Sequence, residues 1–439
     1  MNAKVGTDGD DRLVIVSIDS HASPRFEDLR PYCPAAYVDD LGRYMSQEQA
    51  PANIWGESPG RTRRHQLNDR TLGHFDMAAR LSDMDTDGIA AELMFHGSFS
   101  RDPFPFQLAG LRGPTIVTSP SPRDLELTLI GIQTYNRWLA ASCSEAPDRL
   151  LGLAHVPTWS VDAAISEVRS AVAAGIRIVN WPSMPPPDVP QYDDPAWEPF
   201  WEVVEESGVV LDTHGGTVIP GFRYDLPHSL PLVQVEVTWP SRRGTLRMIF
   251  AGVFERFPGI KIVLTEQPGR WWREWAVELD SSWMSAPPAL RSVLPNPPSV
   301  YMQRNVFIGG SFMASFEAAD AVAEESFVEN MMWGRDYPHR EGTWAYTEDP
   351  DEPNRTFLAL RDTFADIDFQ STAKMVGSNA VKLFGLDESV LAEIAQRIGA
   401  PTNVDIHRPL TAAENAWVAR YKDHSYDYTS AFRKFGAWA

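Results

Sequence analysis

Short, β-branched apolar runs alternate along the chain with longer stretches whose apolar residues recur every three to four positions. The first run, Leu13–Asp19 (LVIVSID), has the character of a strand buried on both faces. Further runs follow at Ile89–Phe95, Leu151–His155, Ile176–Asn180, Val209–Thr213, Ile260–Thr265, Val306–Gly309 and Met331–Gly334. Helical spacing is predicted over Leu72–Asp87, Asp124–Cys143, Val161–Ala174, Trp197–Ser207, Trp239–Phe257, Trp271–Met284, Phe316–Phe327 and Thr372–Leu386, and Gly88, Gly175 and Gly208 supply stops. Eight such alternations over residues 13–386 predict a (β/α)8 TIM-type barrel. A doubly wound sheet is the rival, but no glycine-rich phosphate fingerprint follows the first strand. Residues 387–439, ending in the aromatic tail Tyr421–Ala439, are expected as a C-terminal extension packed on the barrel or on a second subunit.

Four connections, Ala22–Arg70, Gly97–Pro122, Trp181–Pro195 and Gly215–Thr238, lack periodicity and are too long for ordinary turns. They are expected to be insertions over the barrel mouth that carry substrate choice. Fifteen Trp and 35 Pro among 439 residues fit long ordered loops and an aromatic-lined pocket.

Against 39 basic residues stand 59 acidic ones, a formal charge of −20, which argues against nucleic acid or an anionic membrane as partner. The two cysteines, Cys33 and Cys143, lack metal-site spacing, which fits a reducing cytoplasm. The N-terminal apolar run is too short and too acid-flanked for a signal peptide, and no run approaches membrane-spanning length. A cytoplasmic protein with a small-molecule substrate, assembled as a homo-oligomer such as a dimer, is the expectation.

The ends of the predicted strands carry the chemistry. Asp19 and His21 follow the first strand, His214 the fifth, Glu266 the sixth and Asp336 the eighth. In a parallel barrel these ends converge on one mouth. Two imidazoles and up to three carboxylates there suit a divalent ion of the zinc, manganese or iron type. An acidic group at the end of a buried strand needs such a cation.

The segments Asp19-Ser20-His21, Thr213-His214-Gly215-Gly216, Thr265-Glu266-Gln267-Pro268-Gly269, Trp333-Gly334-Arg335-Asp336-Tyr337-Pro338-His339 and Gly377-Ser378-Asn379-Ala380 occur in order, the last ahead of Leu383-Phe384-Gly385. Together they resemble the amidohydrolase-related family of metal-dependent hydrolases, which includes aminocarboxymuconate semialdehyde and resorcylate decarboxylases. The resemblance implies Asp19, His21, His214 and Asp336 as ligands of one divalent metal, zinc first, with manganese or iron as rivals. It also implies Asp336 as general base in a hydrolase. Two departures from the family pattern stand out: Glu266 occupies a position where many relatives place histidine, and Asn180 with Trp181 replaces a carboxylated lysine.

Glu266 is therefore a candidate to touch the metal or to act as acid or base, with a salt bridge to Arg270 or Arg335 as its structural alternative. His339, Arg270, Arg335, His96, His155 and Asn180 are candidates to orient ligands or touch substrate. Trp272 reads as the start of a buried helix, and the acidic run Asp83–Asp87 as a solvated helix end. The expected function is hydrolysis by metal-activated water or decarboxylation of a small organic substrate. An O2-activating di-iron oxygenase and a non-catalytic subunit with a structural metal remain alternatives.

Overall fold

The computed structural model describes residues 11–47, 71–98, 104–107, 120–186, 188–215, 236, 238–267, 270–311, 313–339, 342–346 and 351–421. Much of the expected insertions, and the tail past Tyr421, lie outside the described residues.

The strands are β1 (Val16–Ser17), β2 (His21–Ala22), β3 (Ala91–His96), β4 (Leu150–His155), β5 (Ile178–Asn180), β6 (Val210–His214), β7 (Lys261–Thr265), β8 (Val306–Ser311) and β9 (Met331–Gly334). β1 and β2 are one broken stave, both pairing with β3, and the order then runs β3-β4-β5-β6-β7-β8-β9. All pairs are parallel. β9 returns to the first stave through Ile18 N–H to Trp333 O (3.1 Å) and a bridge between Ser20 and Tyr337, which closes the (β/α)8 barrel.

Register decides which residues face inward. Across the pairs, Leu153, Ile178 and Val210 share one face, and so do His155, Asn180, Asp212, Val263 and Phe307 in the next layer, two residues on. The strands are apolar on both faces because helices cover the outside and the other staves cover the inside. In the first stave Val16 lies opposite Ala91, whereas His21 lies opposite Phe95. Five steps on one strand therefore match four on its neighbour, the extra residue of a β-bulge. It lets Ile18 pack inside the barrel while Asp19 and His21, one and three residues later, also reach the site.

Most helices match their patterns, with informative exceptions. The pattern over Leu72–Asp87 resolves into a 3-10 turn, Leu72–His74, and a helix Met77–Thr86 capped by Asp76. The single helix predicted over Trp239–Phe257 is two, Thr238–Phe250 and Val253–Arg256, because Gly252 takes a left-handed conformation (φ 67°). The helix predicted to reach Phe327 stops at Val322, and the one over Thr372–Leu386 contains a π turn, Lys374–Ser378. That turn brings Gly377 against the first stave, where a Cβ would lie 1.8 Å from Val14 O, so only glycine fits. The aperiodic stretch after β2 also holds a helix, Val38–Gln47.

Trp271 and Trp272 are buried at a helix start, as expected for Trp272. Asp83 and Asp87 contradict the solvated helix end: both are buried, one turn apart on the face that meets the barrel. Beyond residue 387, Leu391, Ala395 and Ala400 pack with Val14, Val16, Val210 and Val263.

Candidate metal centre

Asp19 is fully buried at the heart of the mouth. Its Oδ1 lies 3.2 Å from His21 Nε2 and 3.3 Å from His214 Nε2, and Oδ2 accepts a hydrogen bond from Ser311 Oγ. Gly334 makes the room, since a Cβ there would meet Asp19 Cβ at 2.7 Å. Asp336 joins from the end of β9, its Oδ1 3.2 Å from His21 Nε2. The chain reaches it in a left-handed conformation (φ 54°), and Glu266 at the end of β7 does the same (φ 53°). Such backbone costs about 1–3 kcal/mol for a non-glycine residue and persists where surrounding structure enforces it.

Both imidazoles are oriented by their far nitrogens. His21 Nδ1 faces the His96 carbonyl at 3.4 Å, and His214 Nδ1 bonds the Gly215 carbonyl at 2.9 Å. A carbonyl can only accept, so each Nδ1 carries the proton and each Nε2 is left to point at Asp19. Phe95 buttresses both rings, 5.8 Å from His21 and 4.6 Å from His214. Among the described residues, His21 Nε2 and both Asp336 carboxylate oxygens are buried without a well-aligned hydrogen bond, although Asp336 Oδ1 lies within ion-pair distance of His21 and His339. Donor atoms of Asp19, His21 and His214 lie within 4.8 Å of one another, as do those of His21, Asp336 and His339. The lone pairs of His21 and Asp336, together with Asp19 and His214 Nε2, face one small space, and this donor set fits a divalent cation.

Electrostatics agree. Burial alone would raise the Asp19 pKa, but His214 and His21 overcome it and hold the carboxyl far below its usual range. Burial alone would lower the His214 pKa, but Asp19 and then Glu266 push it up to about 10.

Glu266 Oε2 lies 3.5 Å from His214 Nδ1, across the ring from Asp19. It stands behind a ligand candidate, as in carboxylate–histidine–metal arrangements. Neither proposed salt bridge accounts for it: Arg335 pairs with Glu92 and Asp87, and the exposed Arg270 sits 5.1 Å over the Phe316 ring. Arg335 is fully buried on the outer face of the barrel, which corrects any expectation that it touches substrate. His339 does reach the mouth: its ring stacks on His21 at 3.9 Å, and its Nδ1 lies 2.8 Å from Asp336 Oδ1.

The remaining candidates divide. The His96 ring packs edge-on against Phe104 and Tyr135, and its carbonyl rather than its side chain serves the centre. His155 and Asn180 share the inward face, His155 Nδ1 3.1 Å from Asn180 Nδ2, and burial drives the His155 pKa down to about 3.

Sequence reading passed over two inward-facing residues. Asp212, two before His214, is fully buried; Thr265 Oγ1 donates to its Oδ2 at 3.0 Å, and burial raises its pKa well above the ordinary value. Its place two residues before a ligand candidate was the available signal. Ser311, the donor to Asp19, closes β8 without any such signal.

Comparison with known proteins identifies the family and the fold. The chain is similar to the gamma-resorcylate decarboxylase of Rhodococcus jostii, 29% identical over 175 residues, which are 35% of this chain and 50% of that relative. It is 26% identical over 298 residues to the gamma-resorcylate decarboxylase of a Rhizobium species, covering 64% of this chain and 83% of that one. Among solved structures, 5-carboxyvanillate decarboxylase from Novosphingobium aromaticivorans, complexed with manganese, shares the fold at a TM-score of 0.58 and 20% identity, over 88% of this chain and 100% of that one. The amidohydrolase family model matches residues 20–386, from the Ser20 beside Asp19 to the end of the barrel. The chain belongs to the amidohydrolase family.

Proposed function

We propose that this protein is a metal-dependent carboxy-lyase acting on a small, unsaturated carboxylate of the hydroxybenzoate type. The observation that carries the reading is the convergence of His21 Nε2, His214 Nε2, Asp19 and Asp336 on one buried space with their outer atoms already tied back. Those four residues would hold one divalent ion. Two carboxylates beside two imidazoles accept manganese as readily as zinc, and the manganese in the carboxyvanillate decarboxylase supports manganese. When bound, the ion supplies positive charge that draws in and polarises an anionic substrate group.

The chain's own residues do the rest. His155 and Asn180 face the same mouth and offer hydrogen-bonding atoms to a substituent on the substrate. Phe95 closes the floor between the two imidazoles. Asp336 Oδ1 and His339 Nδ1, 2.8 Å apart, can pass a proton between them. In decarboxylation the bond from carbon to carboxylate breaks, CO2 leaves, and the electron pair left on carbon takes up one proton. Asp336 is the group placed to deliver it. Glu266 holds His214 in its tautomer from the opposite side.

The names of the relatives support the substrate class. Gamma-resorcylate decarboxylases and 2,6-dihydroxybenzoate decarboxylase act on a ring carboxylate flanked by hydroxyls, and a 2-amino-3-carboxymuconate-6-semialdehyde decarboxylase is also similar to this chain. The test is purified protein of measured metal content, presented with 2,6-dihydroxybenzoate, 5-carboxyvanillate and matching esters and amides. Release of CO2 from a carboxylate supports the reading. Hydrolysis of an ester or amide without CO2 release, or two irons per chain with O2 consumption, overturns it.

A further inference from the structure

The barrel seam, where β9 meets the first stave, has little regular ladder, because β1 and β2 are two residues each. Behind that seam lies a buried charge cluster outside the metal centre. Glu92 on β3 is fully buried. Its Oε1 accepts from Arg80 Nε at 2.5 Å, and its Oε2 accepts from Arg335 Nη2 at 2.7 Å and Nε at 3.1 Å. Arg80 donates from Nη1 to the carbonyls of His21 and Gly73, both at 2.9 Å, and from Nη2 to Ser20 Oγ at 2.7 Å. Arg335 N–H bonds Ser17 Oγ at 3.0 Å, and its Nη1 donates to Asp87 Oδ2 at 2.9 Å. One carboxylate thus joins the arginine that grips the main chain of His21 to the arginine peptide-bonded to Asp336.

We propose that Glu92 is a positioning residue for the metal centre: by tying Arg80 to Arg335 across the seam, it sets the separation of His21 and Asp336 and through it the affinity for the ion. The proposal rests on the ligand set proposed above. Buried ion clusters are a weak source of stability, because desolvation offsets most of the attraction, and apolar side chains of similar volume would close the seam as well. Apolar contacts are non-directional, however. The fork of a guanidinium on a carboxylate fixes distance and angle together. Within the cluster each arginine faces a carboxylate, Arg80 facing Glu92 and Arg335 facing Glu92 and Asp87.

Glu92→Asp keeps the charge but withdraws the carboxylate by about 1.5 Å, one carbon–carbon bond, so it cannot hold both arginines. Glu92→Gln removes the charge. Manganese titrations of metal-stripped protein by calorimetry would compare both variants with the parent, with Leu294→Ala as a core-destabilised control and with His214→Ala. The expected result is a Kd for the Glu92 variants weaker by about tenfold or more, with the Leu294→Ala Kd unchanged despite its lower Tm. Should Glu92→Gln not fold, Glu92→Asp carries the comparison. Parent-like Kd in Glu92→Asp, alongside weakened binding in His214→Ala, overturns the positioning role and leaves the ligand set standing. Equal weakening in Leu294→Ala overturns it too, since the effect would be general softening. Parent-like binding in His214→Ala overturns the ligand set and the clamp with it.

Discussion

Metal uptake by the unloaded protein is expected to expel one proton from His214. That imidazole stands between two carboxylates, Asp19 Oδ1 3.3 Å from Nε2 and Glu266 Oε2 3.5 Å from Nδ1. Burial works against its charge, but the two acids prevail and raise its pKa from 6.5 to about 10. An ion must take the Nε2 lone pair that the extra proton occupies. Near pH 7 removing that proton costs about three pH units, or about 4 kcal/mol. Affinity at neutrality therefore stands about a thousandfold below its ceiling and climbs about tenfold per pH unit. Calorimetry in two buffers of different ionisation enthalpy counts the protons released, and one is expected. Stability follows the same sign. A raised pKa means that the protonated imidazole stabilises the unloaded fold fully below 6.5, and this contribution is lost as pH rises through about 10. The Tm of stripped protein should fall over that window, while in loaded protein His214 contributes no such slope. Metal binding without proton release, at an affinity flat from pH 6.5 to about 9, would refute the reasoning.

Other outcomes follow from single contacts. Glu266→Gln should leave the fold intact and lower turnover by about 10–100-fold, the usual effect of losing a partner behind a metal-binding histidine; an unchanged rate would make Glu266 a bystander. Asp212 is buried with a raised pKa, so the folded protein holds its proton to higher pH than the unfolded chain, which gives it up above 3.8. Its carboxyl therefore costs stability as pH rises above that value, and Asp212→Asn should hold or increase the Tm at alkaline pH; a large loss of Tm there would show that the charged form is needed. Gly377→Ala would drive a Cβ to 1.8 Å from Val14 O and should destabilise by about 3 kcal/mol or more, read from denaturant midpoints.

The barrel was legible because its signals are local. β9 occupies Met331–Gly334, as its apolar run implied, and a glycine ends the helix before it hands over to β6 at Gly208. His214 and Asp336 were legible as strand-end groups for the same reason. Asp83 and Asp87 were misread because burial of a charge depends on what meets it from elsewhere. Tyr337 Oη donates to Asp83 Oδ2 at 2.6 Å and Arg335 reaches Asp87, both from more than two hundred residues away in the chain. The break at Gly252 was hidden because the apolar spacing continues through it.

Alternation of strands and helices, the family motifs and the acidic and imidazole residues at strand ends are properties of the sequence by itself, since each depends on neighbours a few positions away. Tertiary structure alone decided the bulge that sends both Asp19 and His21 inward, the carbonyls that turn both Nε2 atoms towards Asp19, and the station of Glu266 behind His214. It also showed the burial of Asp212 beneath the site, and it alone joined Glu92 to Arg80 and Arg335 behind the seam. The physical reason is common to all of them. A side chain's face and charge state are set by register and by counter-charges from distant strands, and neither quantity exists until the barrel has closed.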